Sequence, residues 1–132
     1  MMKLLLIMSF VLFASCAKHV ATKGDSIRQT LTANDTGRVI PIALDHVFTI
    51  TLQSNPTTGY TWVLSFDPEG VITTKPKEFT SAPNPGVGIG GTSSWRMKAN
   101  SVGTSTLTCK YLRPWEKGEK PARELVYTFT VR

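Results

Sequence analysis

The 132-residue chain has only two cysteines, Cys16 and Cys109, and two histidines, His19 and His46. It contains no Cys-x-x-Cys and no His-Glu-x-x-His. That scarcity excludes the familiar zinc spacings and any scaffold held by several disulfides. Neither histidine falls in a nucleophile or metal spacing: His19 sits in a polar N-terminal stretch, and His46 opens an alternating segment. Asp67 and Glu69 read as turn residues, and no two carboxylates are assigned to one face. Catalysis therefore has little support, and neither a metal nor a cofactor is expected. No window of about a dozen residues keeps a helical period, which excludes helices as the main element. No internal repeat is visible.

Long apolar runs are also lacking, with one exception. Lys3 precedes an apolar run from Leu4 to Phe13, followed by Ala14 and Ser15. This is the pattern of a secretory signal peptide, and the run is roughly half the ~20 residues a membrane-spanning helix needs. Phe13-Ala14-Ser15-Cys16 resembles a bacterial lipobox, with Phe13 in place of the more usual leucine, so Cys16 is the expected lipidation site and membrane anchor. Cleavage near Ala14 or Ala17 is the alternative, and either route exports the protein, to the cell envelope or periplasm as a lipoprotein or else as a secreted chain. Residues 1–16 are thus read as the signal peptide and residues 17–26, polar and without apolar periodicity, as a flexible tether.

Removing or lipidating Cys16 leaves Cys109 without a partner, which argues against an internal disulfide. Cys109 alternates with Ser105, Leu107 and Tyr111 and reads as a small buried hydrophobe. The remaining chain of about 116 residues suits one domain with an adequate core. Losing Lys3 leaves 14 basic residues against 9 acidic, a net charge of +5. The excess is scattered and interrupted by glutamates, so it suits solubility and acidic partners, not a nucleic-acid track.

From residue 27 onward the dominant period is two. Phe48, Ile50 and Leu52 alternate with Val47, Thr49 and Thr51; Tyr60, Trp62, Leu64 and Phe66 with Thr61, Val63 and Ser65; Trp95, Met97 and Ala99 with Arg96 and Lys98. The same rhythm runs through Leu107, Cys109 and Tyr111, then Leu125, Tyr127, Phe129 and Val131. These are strands with one buried face. Segments near Ile27 to Ala33 and Arg38 to Leu44 add one or two more, the second placed at an edge or bend by Pro41. Breakers separate every run. The expectation for residues 27–132 is an all-β, immunoglobulin-like antiparallel β-sandwich of seven or eight strands, monomeric, with Trp62 on a middle strand in the core.

Three of the intervening loops carry signatures. In Asn55-Pro56-Thr57-Thr58-Gly59, proline stiffens the tip and Gly59 permits a positive φ where the chain re-enters a strand. Its short uncharged hydroxyls can enter a narrow polar cleft without burying a charge; an ordinary inter-strand loop is the plainer reading. Gly86-Val87-Gly88-Ile89-Gly90-Gly91 satisfies G-x-G-x-x-G, but no strand is expected before it, strand rhythm follows it, and Tyr111 stands where an acid is wanted. Close backbone approach to another surface, or a flexible connector, remains. In Arg113-Pro114-Trp115, an indole beside a proline and amid charges is poorly placed for the core and well suited to an interface, the alternative being that it folds back over the sandwich end.

Asn55-Pro56-Thr57-Thr58-Gly59-Tyr60, then Gly88-Ile89-Gly90-Gly91, then Arg113-Pro114-Trp115, in that order, resemble the chagasin family of cysteine peptidase inhibitors. The resemblance spans about Thr32 to Val131. It implies an immunoglobulin-like sandwich whose three loops at one end plug the active-site cleft of papain-like peptidases. It further implies that Asn55, Pro56, Thr57, Thr58 and Gly59 sit over the catalytic cysteine, while Gly88, Ile89, Gly90 and Gly91, and Arg113, Pro114 and Trp115, straddle the cleft. Tyr60 replaces a frequent phenylalanine, and Ile89 stands where relatives often carry a small residue. Two readings compete with a reversible, competitive inhibitor: an envelope structural or adhesive sandwich binding another protein or glycan, and, weakest, an enzyme using Cys109.

Overall fold

The computed structural model describes residues 29–83, 86 and 88–132; the signal segment, the tether and Cys16 lie outside them. Nine strands are formed among the described residues: β1 (Thr30–Leu31), β2 (Val39–Ile42), β3 (Val47–Ser54), β4 (Thr61–Asp67), β5 (Ile72–Thr74), β6 (Glu78–Ser81), β7 (Gly91–Ala99), β8 (Gly103–Leu112) and β9 (Arg123–Val131). One sheet has the order β1-β3-β7-β5, with β6 also paired to β7; the other runs β2-β9-β8-β4.

The alternation read from the sequence is what the two sheets bury between them. Phe48, Ile50 and Leu52 of β3, Trp95, Met97 and Ala99 of β7, Leu107 and Cys109 of β8, and Leu125, Tyr127, Phe129 and Val131 of β9 all point into one core. Their neighbours on the other side of each strand are mostly polar and none is buried, which fixes register, since a slip of one residue would turn every core side chain to water. Phe48 and Phe129 meet across the sandwich at 5.1 Å between ring centroids. Tyr127, in the same interior, donates its hydroxyl to the Thr32 carbonyl at 2.9 Å, so its one polar atom is satisfied. Cys109 is fully buried, and burial pushes its thiol up to about 12, as fits a packing residue and not a nucleophile.

Four expectations need correction. The strands number nine, not seven or eight, because β5 and β6 pair with the outer edge of β7; all four residues of β6 are exposed, so it carries no apolar alternation. The sandwich is not wholly antiparallel: β1 runs parallel to β3, and β2 parallel to β9. Trp62 is buried as expected, but on β4, an edge strand. A strand, β6, does precede the glycine-rich loop; β7 follows it, so the absence of a helix there still excludes a dinucleotide site. Pro41 lies on β2, the edge of its sheet, where its missing N–H costs nothing.

Register also fixes the two poles. Ser54 pairs with Gly91, Thr61 with Leu112 and Tyr111 with Arg123, so the ends of β3 and β8 and the starts of β4, β7 and β9 share one pole. β1 is parallel to β3 and enters at Thr30 opposite Thr49, and β9 ends with Val131 opposite Gly103. Both ends of the described chain therefore point toward the other pole.

Candidate functional site

The three signature loops all rise from the first pole, and the first one crosses between the sheets. Leaving β3, the chain makes a single 3-10 turn over Pro56–Thr58 and re-enters the second sheet at β4. Asn55 caps that turn: its Oδ1 accepts from the Thr57 backbone N–H at 3.2 Å and from the Thr57 hydroxyl at 2.6 Å. Pro56 occupies the first turn position, where its fixed φ is already helical and no N–H is missed. The Thr58 hydroxyl donates to the Asn55 carbonyl at 2.7 Å. Gly59 ends the turn at φ 78°, ψ −4°, a left-handed conformation that favours glycine.

This first loop is tied to both neighbours. Asn55 Nδ2 donates to the Gly88 carbonyl at 2.8 Å, reaching the glycine-rich loop. Arg113 Nε donates to the Thr58 carbonyl at 3.1 Å, while Arg113 Nη1 pairs with Glu116 Oε1, also at 3.1 Å. The Trp115 indole lies against the α-carbon of Gly59, in the space a Cβ would need. Trp115 is nonetheless 66% exposed as a residue, so it neither fills the core nor folds away from solvent. Ile89, at 54% exposure, is the other large apolar side chain presented by the described residues of these loops.

Below the tips runs a column of rings. The Arg113 guanidinium stands 4.5 Å over the Tyr60 ring, Tyr60 stacks on Tyr111 at 5.3 Å, Tyr111 meets Trp62 at 4.8 Å, and the Arg123 guanidinium lies 5.7 Å from the Trp62 ring. Trp62 Nε1 donates to the Gln53 carbonyl at 2.9 Å, linking β4 to β3 across the sandwich. The Tyr111 hydroxyl accepts the Asn55 backbone N–H at 2.9 Å.

All described signature residues are thus gathered at one pole, but not all in the same way. Pro56, Thr57, Thr58, Gly88, Ile89, Pro114 and Trp115 are exposed at the tips; Asn55, Gly59 and Arg113 are half-buried and hold the tips together. Gly90 and Gly91 are half-buried as well, their α-carbons close against the Ser54 and Thr80 carbonyls. The close backbone approach expected of the glycines is made there to this chain's own strands. Tyr111 and Arg123 continue the inward alternation of β8 and β9, so residue order does not mark them as site residues; what their polar ends touch is legible only in three dimensions. Among the described residues no three His, Cys, Asp or Glu side chains cluster as metal ligands.

Comparison with known proteins follows the same loops. The family model for chagasin family peptidase inhibitors (I42) matches residues 42–131, a span that contains all three. Amoebiasin-2 of Entamoeba histolytica is 32% identical over 104 residues, covering 77% of this chain and 84% of its own length. Chagasin of Trypanosoma cruzi is 28% identical over 83 residues, covering 60% and 76% respectively. Among solved structures, the crystal structure of a cysteine protease inhibitor from Entamoeba histolytica matches with a TM-score of 0.70 at 29% identity, covering 79% of this chain and 94% of that one.

Proposed function

The chain belongs to the chagasin family of peptidase inhibitors, and on that premise we propose that it inhibits papain-like cysteine peptidases, reversibly and competitively, by seating the three tips in their active-site cleft. The observation that carries this reading is the junction of the tips: one loop, from Asn55 to Gly59, is bonded on one side to Gly88 and on the other to Arg113. Three tips so joined dock as one body and lose little conformational freedom, which favours tight binding more than added area does.

The first loop lies over the catalytic cysteine, with Thr57 and Thr58 nearest to it. Papain-like enzymes work through a thiolate beside a histidine, and filling the cleft blocks them without disturbing that pair. A substrate must offer an extended strand whose main chain is free to bond the enzyme. Pro56–Thr58 is instead closed on itself, the Thr58 N–H bonded to the Asn55 carbonyl at 3.2 Å and the Gly59 N–H to the Pro56 carbonyl at 3.1 Å. The tip occupies the cleft without offering a peptide in register for cleavage, so the inhibitor performs no chemistry. Trp115 and Ile89 flank this tip as apolar anchors, Trp115 being of a type enriched at interface hot spots.

The same protein is exported and anchored by lipid on Cys16. Its described N-terminal end points away from the tips, so a chain held at its N-terminus offers the inhibitory edge to solvent. Mass spectrometry of the mature N-terminus distinguishes lipidation from simple cleavage. For activity, the purified domain is titrated into papain and hydrolysis of a small substrate followed. Stoichiometric or near-stoichiometric loss of activity, relieved by excess substrate, is expected; no inhibition at micromolar concentration would favour an envelope binding module instead.

A further inference from the structure

We propose that Tyr111 is the positioning residue of the inhibitory edge, its hydroxyl fixing the first loop to the framework through the backbone N–H of Asn55. The inference rests on the peptidase-binding reading for its consequence, and on geometry for its cause. Besides the Gly90 backbone packed beside Asn55, four contacts hold the first loop from outside among the described residues. Three of them, to the Gly88 carbonyl, to Arg113 and to Trp115, are made by other loops and are open to solvent. They keep the tips together, and of the three only Arg113, whose guanidinium stands over the Tyr60 ring, also reaches the aromatic column. The fourth comes from β8, from a residue paired on one side with Trp62 and on the other with Arg123.

The need for it arises where β3 ends. Ser54 pairs with Gly91 as the last rung of the β3–β7 ladder, so the next N–H, that of Asn55, has left the sheet while still half-buried. An unpaired donor there would favour other loop conformations in which water reaches it. The Tyr111 hydroxyl takes that N–H at 2.9 Å in a partly buried setting. The ring that carries the hydroxyl is itself held between Tyr60 and Trp62. Trp62 is bonded to the carbonyl of Gln53, two residues before Asn55. The strand end and the loop start are therefore both fastened to one aromatic stack, one through an indole N–H and the other through a phenol oxygen.

Tyr111→Phe removes the oxygen and keeps the stack, which separates positioning from packing. Tyr127→Phe is the matched control, since it deletes a hydroxyl bond of the same length to the Thr32 carbonyl, away from the tips. Amide hydrogen exchange by NMR and inhibition of papain are measured on both variants and on the unmodified domain. For Tyr111→Phe, exchange at Asn55 and Thr58 should rise about tenfold relative to Trp95 and Phe129, and the inhibition constant should rise by about the same factor, equivalent to about 1.4 kcal/mol, chiefly through slower association because fewer molecules hold the competent loop. Tyr127→Phe should leave both readings unchanged even where it lowers the melting temperature. Unchanged exchange at Asn55, a uniform rise across core amides, or an equal loss of inhibition in Tyr127→Phe would overturn the assignment. Should the unmodified domain leave papain untouched, the peptidase reading fails, and the exchange comparison alone decides the role of Tyr111.

Discussion

Gly59 and Trp115 supply a test of whether the tips act as one body. Gly59 has φ 78°, and a Cβ placed on it would meet the far edge of the Trp115 ring. Gly59→Ala therefore has two separable effects. The left-handed backbone costs an alanine about 1–2 kcal/mol of folding stability, and the indole must leave its seat. Trp115→Ala alone should cost about 2–4 kcal/mol of affinity for papain, about 30- to 900-fold, as for other buried interface anchors. Its stability loss has an upper bound of about 2 kcal/mol, from about 80 Å² of covered indole at about 25 cal/mol per Å².

The double-mutant cycle then decides. In the presence of Trp115, Gly59→Ala should weaken inhibition about tenfold or more, because the anchor is displaced. In the Trp115→Ala background the same substitution should cost less than about twofold, although its backbone strain still lowers the urea midpoint. Inhibition constants from progress curves and stabilities from urea unfolding give both sides of the cycle. Losses of affinity that add within about 0.5 kcal/mol would refute the coupling and with it the picture of Gly59 as the seat of Trp115.

Three further outcomes are expected. Thr58→Arg places a charge at the centre of the tip and removes the hydroxyl that donates to the Asn55 carbonyl, so inhibition of papain should fall at least a hundredfold, equivalent to about 3 kcal/mol; retained tight inhibition would remove the first loop from the cleft centre. Arg113→Lys cannot reproduce a fork that bonds the Thr58 carbonyl, pairs with Glu116 and covers Tyr60 at once, and should weaken inhibition about three- to thirtyfold while the melting temperature moves little; an unchanged inhibition constant would show the third loop to be held by Trp115 alone. Burial raises the Cys109 thiol from 9.0 to about 12 and also pushes the Tyr127 phenol up. The unfolded chain therefore loses these protons first. Stability from keeping them neutral is complete below about pH 9 and is lost as pH rises toward 12. Urea midpoints should fall on that side, and Cys109 should react with an aromatic disulfide reagent at pH 8 only once urea unfolds the chain; rapid reaction of the folded domain would contradict its burial.

Much of this fold is legible in residue order because its long strands each bury one face: Phe48 to Leu52, Trp95 to Ala99 and Leu125 to Val131 repeat every second residue. β6 escaped that reading for the same physical reason. It lies at an edge with Glu78 to Ser81 all exposed, so backbone pairing to β7 holds it and no hydrophobic period marks it. The parallel course of β1 and β2 was equally silent, since alternation says which face is buried and nothing of strand direction. At the site, turn chemistry marked the first tip, because proline at 56 suits the opening of the turn and glycine at 59 its left-handed end, whereas the other two tips stood out through the resemblance.

What fastens the tips was hidden for a different reason: Tyr111 obeys the core alternation, and only its last atom serves the loop. That distinction sets where selectivity and stability divide. The glycine-rich loop joins strands of one sheet and the Arg113 loop joins strands of the other, but the first loop passes from β3 to β4 and so spans both. Its position depends on how the two sheets sit on their shared core, and the contacts from Trp62 to Gln53 and from Tyr111 to Asn55 bridge that gap at the pole itself. On the proposed reading, substitution of exposed Ile89 should alter which cleft is fitted without touching the core, whereas a change in the aromatic column should alter every cleft at once.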